Sequence, residues 1–338
     1  MQKYELFVGI DISKNWFDAA ITLGSNKKTM LHKRFDNNQS GFNDFLKWLK
    51  QQAKKMKKTG SWLVCMEHTG VYTLELCVFL EKQAIDYLIE SALRIKRSLG
   101  IRRGKDDKAD SKDIALYIYK NHKDLKISKL PAKELVRLKS LLTFRALLVK
   151  QRTAQKNAAN SYKKMPDEYA LELIVEQSQQ LIKTLDEQIK VLEKQMKQII
   201  EENEPLLVLY DLVVSVKGIG LIIGVTMLVY TNGFTAFDNA RKFACYIGIA
   251  PFKEESGKAT NSVAKVSALG HKKIKALIGN GVNAAIQHDP QIRAYYKRKL
   301  AEGKNEFKVK NAIKNKLIAH IFATVKRGTP YVVLANHG

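Results

Sequence analysis

Three strand-like runs follow one another within the first 35 residues, and they limit the folds open to this chain. Residues 6–12 form an apolar run, and two further runs follow at 16–22 and 29–35. This quick succession predicts an antiparallel meander. Beyond it, Ser40 is predicted to cap a helix, and the later runs predict, in order, a strand at 61–67, a helix at 71–83, a strand at 86–89 and a helix at 107–119. The order βββαβαβα predicts an α/β domain with a mixed sheet.

The chain from Pro131 onwards is predicted to be mainly helical. Leucines lie at helical spacing in residues 134–160, and a second apolar seam with three-and-four spacing runs from Ile174 to Ile199. This seam indicates an antiparallel hairpin, an intermolecular coiled coil or core packing within one chain, and the sequence leaves these open. We therefore expect an α/β domain at 1–125, a helical coiled-coil linker or oligomerisation region at 126–204, and a mainly α domain at 205–338.

The chain carries a large excess of positive charge. It has 58 Lys and Arg residues against 33 Asp and Glu residues, for a formal net charge of +25. Nucleic acid is the partner that this charge favours, because neutralised phosphates release their counterions. A ribosome-associated protein, or one that is merely rich in lysine, is the alternative.

The cysteines and the apolar runs bear on the compartment. Cys65, Cys77 and Cys245 are widely spaced in apolar surroundings, so neither a disulfide framework nor a zinc site is indicated. No run approaches the roughly 18 apolar residues of a membrane span. We expect a cytoplasmic protein that makes no membrane contact.

Four acids are placed where strands end or where a helix begins. Asp11 ends the first predicted strand, Glu67 ends the fourth, and Asp107 and Asp110 lie three residues apart on one helical face. Mg²⁺ takes carboxylate oxygens as ligands, and a pair of such ions stabilises both oxygens of a phosphoryl transfer. The four acids together predict a metal site. Each acid taken alone is better explained as a helix cap or a solvated surface residue than as a metal ligand.

The C-terminal half contains candidate contacts to nucleic acid. Two glycines near residue 218 resemble a helix-hairpin-helix turn, in which backbone N–H groups approach a phosphate; a plain helix–helix turn is the alternative. The lysines nearby and on the helix after Gly270 suit phosphate contacts, or are simply solvated. The candidates are Lys217, Gly218, Gly220, Lys258, Lys272 and Lys273. Ser256, before a glycine in a polar segment, is on its own typical of a turn.

The order of short motifs resembles that of a known family. The motifs are Gly9-Ile-Asp11, Glu67-His-Thr-Gly, Lys105-Asp-Asp107-Lys-Ala-Asp110, Gly218-Ile-Gly220, Gly248-Ile-Ala-Pro251 and Ser256-Gly257. In this order they resemble the insertion-sequence 110 family of DEDD transposases, which includes the Piv-type DNA invertases. The resemblance extends over nearly the whole chain.

The resemblance implies a fold, a metal site and a nucleophile. It implies a RuvC-like domain of RNase H fold, whose DEDD site maps onto Asp11, Glu67, Asp107 and Asp110 and holds Mg²⁺, with Mn²⁺ as the alternative. It also implies a helical transposase domain in which Ser256 is the nucleophile.

The resemblance also implies partners. These are a structured non-coding bridge RNA, double-stranded donor and target DNA, and further copies of the chain in a dimer or tetramer. Ser256 and the acids belong to different domains, so the serine acts in its own protomer or in a partner.

Two other functions remain open at this point. A junction resolvase or nuclease on the same N-terminal fold would cleave with water and need no serine. A non-enzymatic basic protein that packages nucleic acid would need neither the acids nor the serine.

Overall fold

The computed structural model describes residues 4–58, 60–67, 70–99, 107–166, 169, 171–252, 265–266 and 270–333. The chain forms two compact units, residues 1–130 and 131–338. The first unit is α/β and the second is almost entirely helical. None of the described helices combines the length and the apolar content needed to cross a bilayer.

The first unit is built on a five-stranded mixed sheet. Its strands are β1 (Tyr4–Ile12), β2 (Trp16–Thr22), β3 (Leu31–Asp36), β4 (Ser61–Glu67) and β5 (Asp86–Glu90), in the order β3-β2-β1-β4-β5. The first three strands form an antiparallel meander, and β4 and β5 extend the sheet in parallel from β1. The predicted meander and mixed sheet are confirmed.

Helices cover both faces of this sheet. The helices of this unit are α1 (Gln39–Lys55), α2 (Leu74–Lys82), α3 (Ala92–Leu99) and α4 (Asp107–Asn121). Because side chains alternate along a strand, Val8 and Ile10 of β1 are buried with residues of α1 and α2. Phe7 is buried on the opposite face with residues of α3 and α4.

Three local predictions for this unit need correction. The N-cap of α1 is Asn38, whose side chain accepts a hydrogen bond from Gly41 N at 2.9 Å, and Ser40 lies inside the helix. Strand β3 begins two residues late, since residues 27–29 form a 3₁₀ turn. The predicted helix 71–83 is a 3₁₀ turn followed by α2, and helix α3 was not predicted at all.

Two long helices form an antiparallel hairpin in the second unit. They are α5 (Lys133–Tyr162) and α6 (Glu172–Glu201). Arg145 donates to Glu193 at 2.7 Å and Arg152 donates to Asp186 at 2.5 Å, so the partners run in opposite directions along the two helices. Of the arrangements that the sequence left open, the hairpin is the one formed within the chain.

Shorter helices make up the rest of this unit. They are α7 (Glu204–Val214), α8 (Leu221–Tyr230), α9 (Ala240–Tyr246), α10 (Lys272–His288), α11 (Pro290–Ala301) and α12 (Glu306–Arg327). Fully buried residues such as Phe243, Ile278 and Leu317 join α9, α10 and α12 in one core. Asp289 caps α11 by accepting hydrogen bonds from the N–H groups of Gln291 and Ile292 at 2.9 and 3.1 Å.

Candidate functional site

Asp11 and Glu67 lie side by side where two parallel strands end. Strand β1 pairs with β4 so that Ile10 is opposite Met66, and the next residue in each strand is the acid. Neighbouring strands lie about 4.8 Å apart. Both acids fall on the face of the sheet that Phe7 shares with α4, and both are half-buried. The fold therefore brings two of the four predicted acids together.

Helix α4 runs along β1 in the opposite direction and reaches the acids with its first turn. The Phe7 ring lies 5.5 Å from that of Tyr119, and a Cβ on Gly9 would lie 2.3 Å from Ser111 O. From Gly9 to Asp11, β1 advances by about 6–7 Å, and about four residues of α4 cover the same length. The turn that begins at Asp107 and holds Asp110 therefore lies over Asp11.

The close approach of α4 depends on Gly9. A Cβ at this position would lie 2.1 Å from Ala115 N and 2.3 Å from Ser111 O, and both are backbone atoms of α4. No side chain fits in this gap without moving the helix. Gly9, which stands two residues before Asp11, thus sets the distance between the strand and the helix that carries the other two acids.

Ligand type favours Mg²⁺ at this edge, because the converging groups are carboxylates. Among the described side chains, no group of three or more His, Cys, Asp and Glu residues has the arrangement of a metal site. The helical backbone of Asp107 belongs to the described structure, whereas its side chain does not. Carboxylate donors of this kind fit a divalent cation.

A fifth acid, Asp18, lies directly opposite Asp11 in the β1–β2 pair. Asp18 is only 2% exposed and is held by two side chains of β3, His32 and Arg34. His32 Nε2 lies 2.7 Å from Asp18 Oδ1, and Arg34 donates to Asp18 Oδ2 from Nε and Nη2 at 3.0 and 2.8 Å. Asp18 is therefore neutralised by the sheet itself.

A sixth acid, Glu90, lies next to Glu67 in the β4–β5 pair. It accepts hydrogen bonds from the Tyr117 hydroxyl at 2.9 Å and from Arg94 at 3.2 Å. Burial, with this hydrogen bond to Glu90, raises the pKa of the Tyr117 hydroxyl, so the tyrosine remains a donor. Four carboxylates thus cross the sheet in one row, and arginines bind the two at its ends.

Sequence reasoning missed Asp18 and Glu90. An acid within the apolar run Phe17-Asp18-Ala19-Ala20-Ile21 is unusual, and this pattern was the available signal for Asp18. Glu90 directly follows the predicted strand 86–89 and is the last residue of β5, as Glu67 is of β4. Only the strand register shows that both acids share a row with Asp11.

Two short paired strands flank the part of the sequence that contains Ser256. Strand β6 (Pro251–Phe252) precedes it and pairs with β7 (Lys265–Val266), which follows it. Ser256 and Lys258 themselves lie outside the described residues. Just before β6, Ile249 O accepts hydrogen bonds from Asn311 Nδ2 and Asn315 Nδ2 of α12, at 2.9 and 3.1 Å.

The glycine turn near residue 218 connects α7 to α8 and packs on α10. Gly218 has φ +89°, and a Cβ there would lie 2.4 Å from Gly281 O, so packing alone explains this glycine. Gly220 caps α8 and is exposed, as is Lys217. Lys272 and Lys273 are exposed in the first turn of α10. These four exposed residues are accessible to a ligand, and their role remains a prediction.

Comparisons with known proteins match both units. Residues 8–165 match a transposase family model of the IS110 DEDD type, and residues 210–297 match the model described as the transposase IS116/IS110/IS902 family. The pilin gene-inverting protein of Moraxella lacunata is 27% identical over 333 residues, which are 96% of this chain and 97% of the relative. Its counterpart in Moraxella bovis is equally similar.

A third relative matches over a shorter stretch. It is a 43.6 kDa protein of insertion element IS110 from Streptomyces coelicolor, 26% identical over 167 residues, or 49% of this chain and 40% of the relative. These matches confirm the resemblance that the order of the motifs predicted. Since two models of one family match the chain, one from the sheet into the first long helix and the other in the helical unit, the chain belongs to the IS116/IS110/IS902 family of transposases.

Proposed function

We propose that this protein is a DNA recombinase that cleaves and rejoins strands through a covalent serine intermediate, guided by a structured bridge RNA. The observation that supports this proposal most is the convergence of Asp11, Glu67 and the first turn of α4 at one edge of the sheet. Membership of a transposase family makes DNA the substrate class. The relatives named for pilin gene inversion make inversion and insertion alternative outcomes of the same strand exchange.

In this proposal the acids of the first unit prepare the scissile phosphate. Asp11, Glu67, Asp107 and Asp110 hold Mg²⁺ or Mn²⁺, in a domain that we propose to be RuvC-like. When bound, the metal ion polarises the phosphate and neutralises the charge that develops on it. Asp18 and Glu90 keep their own cationic partners, so the chain already neutralises the ends of the row. The positive end of the α4 dipole favours negative charge at the same place.

The serine supplies the covalent step. The Ser256 oxygen bonds to the phosphorus while one strand's P–O bond breaks, and the departing DNA oxygen takes up the serine proton in the net balance. A hydroxyl of the second strand then attacks the phosphoserine link and releases the serine. The phosphodiester energy is kept for rejoining because no water enters, which distinguishes this route from hydrolysis.

The proposed recombinase acts with a bridge RNA and as an oligomer. Base pairing of a bridge RNA with donor and target DNA would select the sequence, while the basic protein binds the backbones. Because Ser256 and the acids belong to different units, a dimer or tetramer in which one protomer donates its serine to another fits the reaction. The bacterial nucleoid is the proposed place of action.

A strand-exchange assay with the purified protein, its RNA and labelled donor and target DNA tests this function. We expect Ser256→Ala and Asp11→Asn each to abolish exchange while RNA binding persists. Cleavage that survives in Ser256→Ala would establish hydrolysis by a nuclease instead. Exchange that survives Asp11→Asn would refute the role of the sheet edge.

Mixing the two inactive variants tests donation in trans. Activity recovered in the mixture shows that one protomer supplies the serine and another the acids. A mixture that stays inactive, when each variant still assembles with wild-type protein, places both parts in one chain.

A further inference from the structure

Two lysines lie on the facing surfaces of α10 and α12. Lys275 of α10 donates from Nζ to Gly248 O at 3.0 Å. Lys314 of α12 extends across Gly279 of α10, where an added Cβ would lie 3.4 Å from its Nζ and Cε. Gly279 is one helical turn after Lys275, so both ammonium groups lie over the same strip of α10.

The two ammonium groups repel each other. Burial lowers the pKa of Lys314, and the nearby positive charge of Lys275 lowers it further. Among the described residues, neither lysine forms an ion pair with an acid. Lys310, one turn earlier on α12, is in contrast paired with Glu306 at 2.8 Å. Positive charge of this kind is costly unless a negative group compensates it.

The lysine pair lies beside Gly248 and Ile249, which directly precede β6 in the chain. Lys275 binds Gly248 O, while Asn311 and Asn315 bind the oxygen of the next residue, Ile249. Ser256 is seven residues beyond Ile249 in the sequence. The hydrogen bond to Gly248 gives Lys275 a structural role, but within the described structure Lys314 has no hydrogen bond that would explain its position.

We propose that Lys275 and Lys314 together bind a phosphate of a nucleic-acid backbone. An anionic phosphodiester compensates both charges at once, and lysine binds phosphate as a point charge. The exposed Lys272 and Lys273 in the first turn of α10 extend the positive surface along the strand. Only the purpose of the contact, which is to hold a strand near Ser256, rests on the proposed recombinase function.

Salt-dependent binding of the full-length protein tests this site. A DNA duplex and an RNA hairpin with equal numbers of phosphates serve as probes, without divalent metal, and affinity is measured by fluorescence anisotropy across a salt series. Lys314→Gln should reduce the slope of log affinity against log salt by about 0.9 for the duplex, which is one phosphate contact. The affinity lost would be about threefold to fourfold greater at 50 mM than at 200 mM salt.

Lys310→Gln is the matched control, since Lys310 lies on the same helix but has its own acid. We expect a slope equal to that of the wild type. A change confined to the duplex assigns the site to DNA, a change confined to the hairpin assigns it to RNA, and a change with both assigns it to a shared path. An unchanged slope in Lys314→Gln, or an equal fall in Lys310→Gln, overturns the proposal.

Acetylation of the wild-type protein gives a second test that does not depend on how a variant folds. Mass spectrometry would compare the labelling of each lysine with and without nucleic acid. Lys314 should be protected and Lys310 much less so, and equal labelling of Lys314 in both states would contradict the site. Neither test involves strand exchange, so a failure of the recombinase proposal would leave their results unaffected.

Discussion

The acidic edge of the sheet and the lysine pair between α10 and α12 both hold like charges together, yet they are neutralised differently. At the sheet edge, Arg34 binds Asp18 and Arg94 binds Glu90, so the chain supplies cations for the ends of the row. The lysine pair has no acid among the described residues. We therefore infer that the acidic row is partly neutralised within the sheet, whereas the lysine pair depends on an outside anion.

The largest expected effect comes from removing one carboxylate at the centre of the row. Glu67→Gln should slow strand cleavage by on the order of 10³-fold, since a bound metal ion contributes several kcal/mol. Nucleic-acid binding should persist, which an anisotropy titration would show. Glu75→Gln, at an exposed acid of α2, is the control and should cleave normally.

The next largest effect is expected from the close contact between Gly9 and the backbone of α4. Gly9→Ala places a methyl group against Ser111 O and Ala115 N, so α4 must move away from β1. We expect a loss of about 3 kcal/mol in the free energy of unfolding, the upper part of the range for overpacking, together with weaker Mn²⁺ binding. Urea unfolding and calorimetry would measure the two.

The matched control for this substitution is Gly24→Ala, where the added methyl group meets no atom within 4 Å. It should leave both measurements unchanged. Normal stability and normal Mn²⁺ binding in Gly9→Ala would show that α4 does not position the acids.

Removing Asp18, the acid that Arg34 binds at one end of the row, should lower the free energy of unfolding more than removing an ordinary surface ion pair does. Asp18→Ala leaves His32 and Arg34 without their buried partner, and breaking a fully buried pair costs about 3–5 kcal/mol. Because the Arg34 side chain is 51% exposed, we expect about 2 kcal/mol.

Urea unfolding of Asp44→Ala gives the comparison, since Asp44 and Lys47 form an exposed pair at 3.4 Å. Its loss should cost less than about 0.5 kcal/mol. Equal losses in the two variants would mean that the sheet does not depend on neutralising Asp18.

The smallest expected effect is a gain in stability, which comes from replacing Lys314. Since Lys314 has a folded-state pKa below its ordinary value of 10.5, the charged form destabilises the fold at neutral pH. This penalty is relieved as pH rises through the folded-state pKa towards 10.5. Lys314→Met should therefore stabilise the protein at pH 7 by a few tenths of a kcal/mol, as for other like-charge pairs.

Thermal unfolding at low salt, at pH 7 and near pH 10.5, checks this sign. The difference between variant and wild type should shrink at the higher pH. A variant that is less stable than the wild type at pH 7 would show that Lys314 stabilises the fold and needs no anion.

Local pattern predicted much of the sheet but not its register. Strands β2 and β4 have the predicted bounds because apolar runs between turns are strong local signals. Helix α3 was missed because it is short, and three of its eight residues are basic: Arg94, Lys96 and Arg97. Its helicity depends on packing of Ile95 against the sheet, which is a tertiary contact.

The residues of the candidate site were likewise predicted only in part. Asp11 and Glu67 were predicted from their places at strand ends, and the pairing of β1 with β4 brings them together. Asp18 was missed because its importance depends on the β1–β2 register, and the Lys275–Lys314 pair because it depends on how α10 meets α12. Ser256 has no local pattern that marks it as a nucleophile, and its proposed role still comes from the family.

Anomalous diffraction from crystals of the full-length protein soaked in Mn²⁺ would test directly whether Asp11 and Glu67 hold a metal ion together. We expect an anomalous peak in contact with carboxylate oxygens of both Asp11 and Glu67, and the loss of this peak in Glu67→Gln. Mn²⁺ bound only at other acids, with Asp11 and Glu67 in contact with no ion, would contradict this expectation.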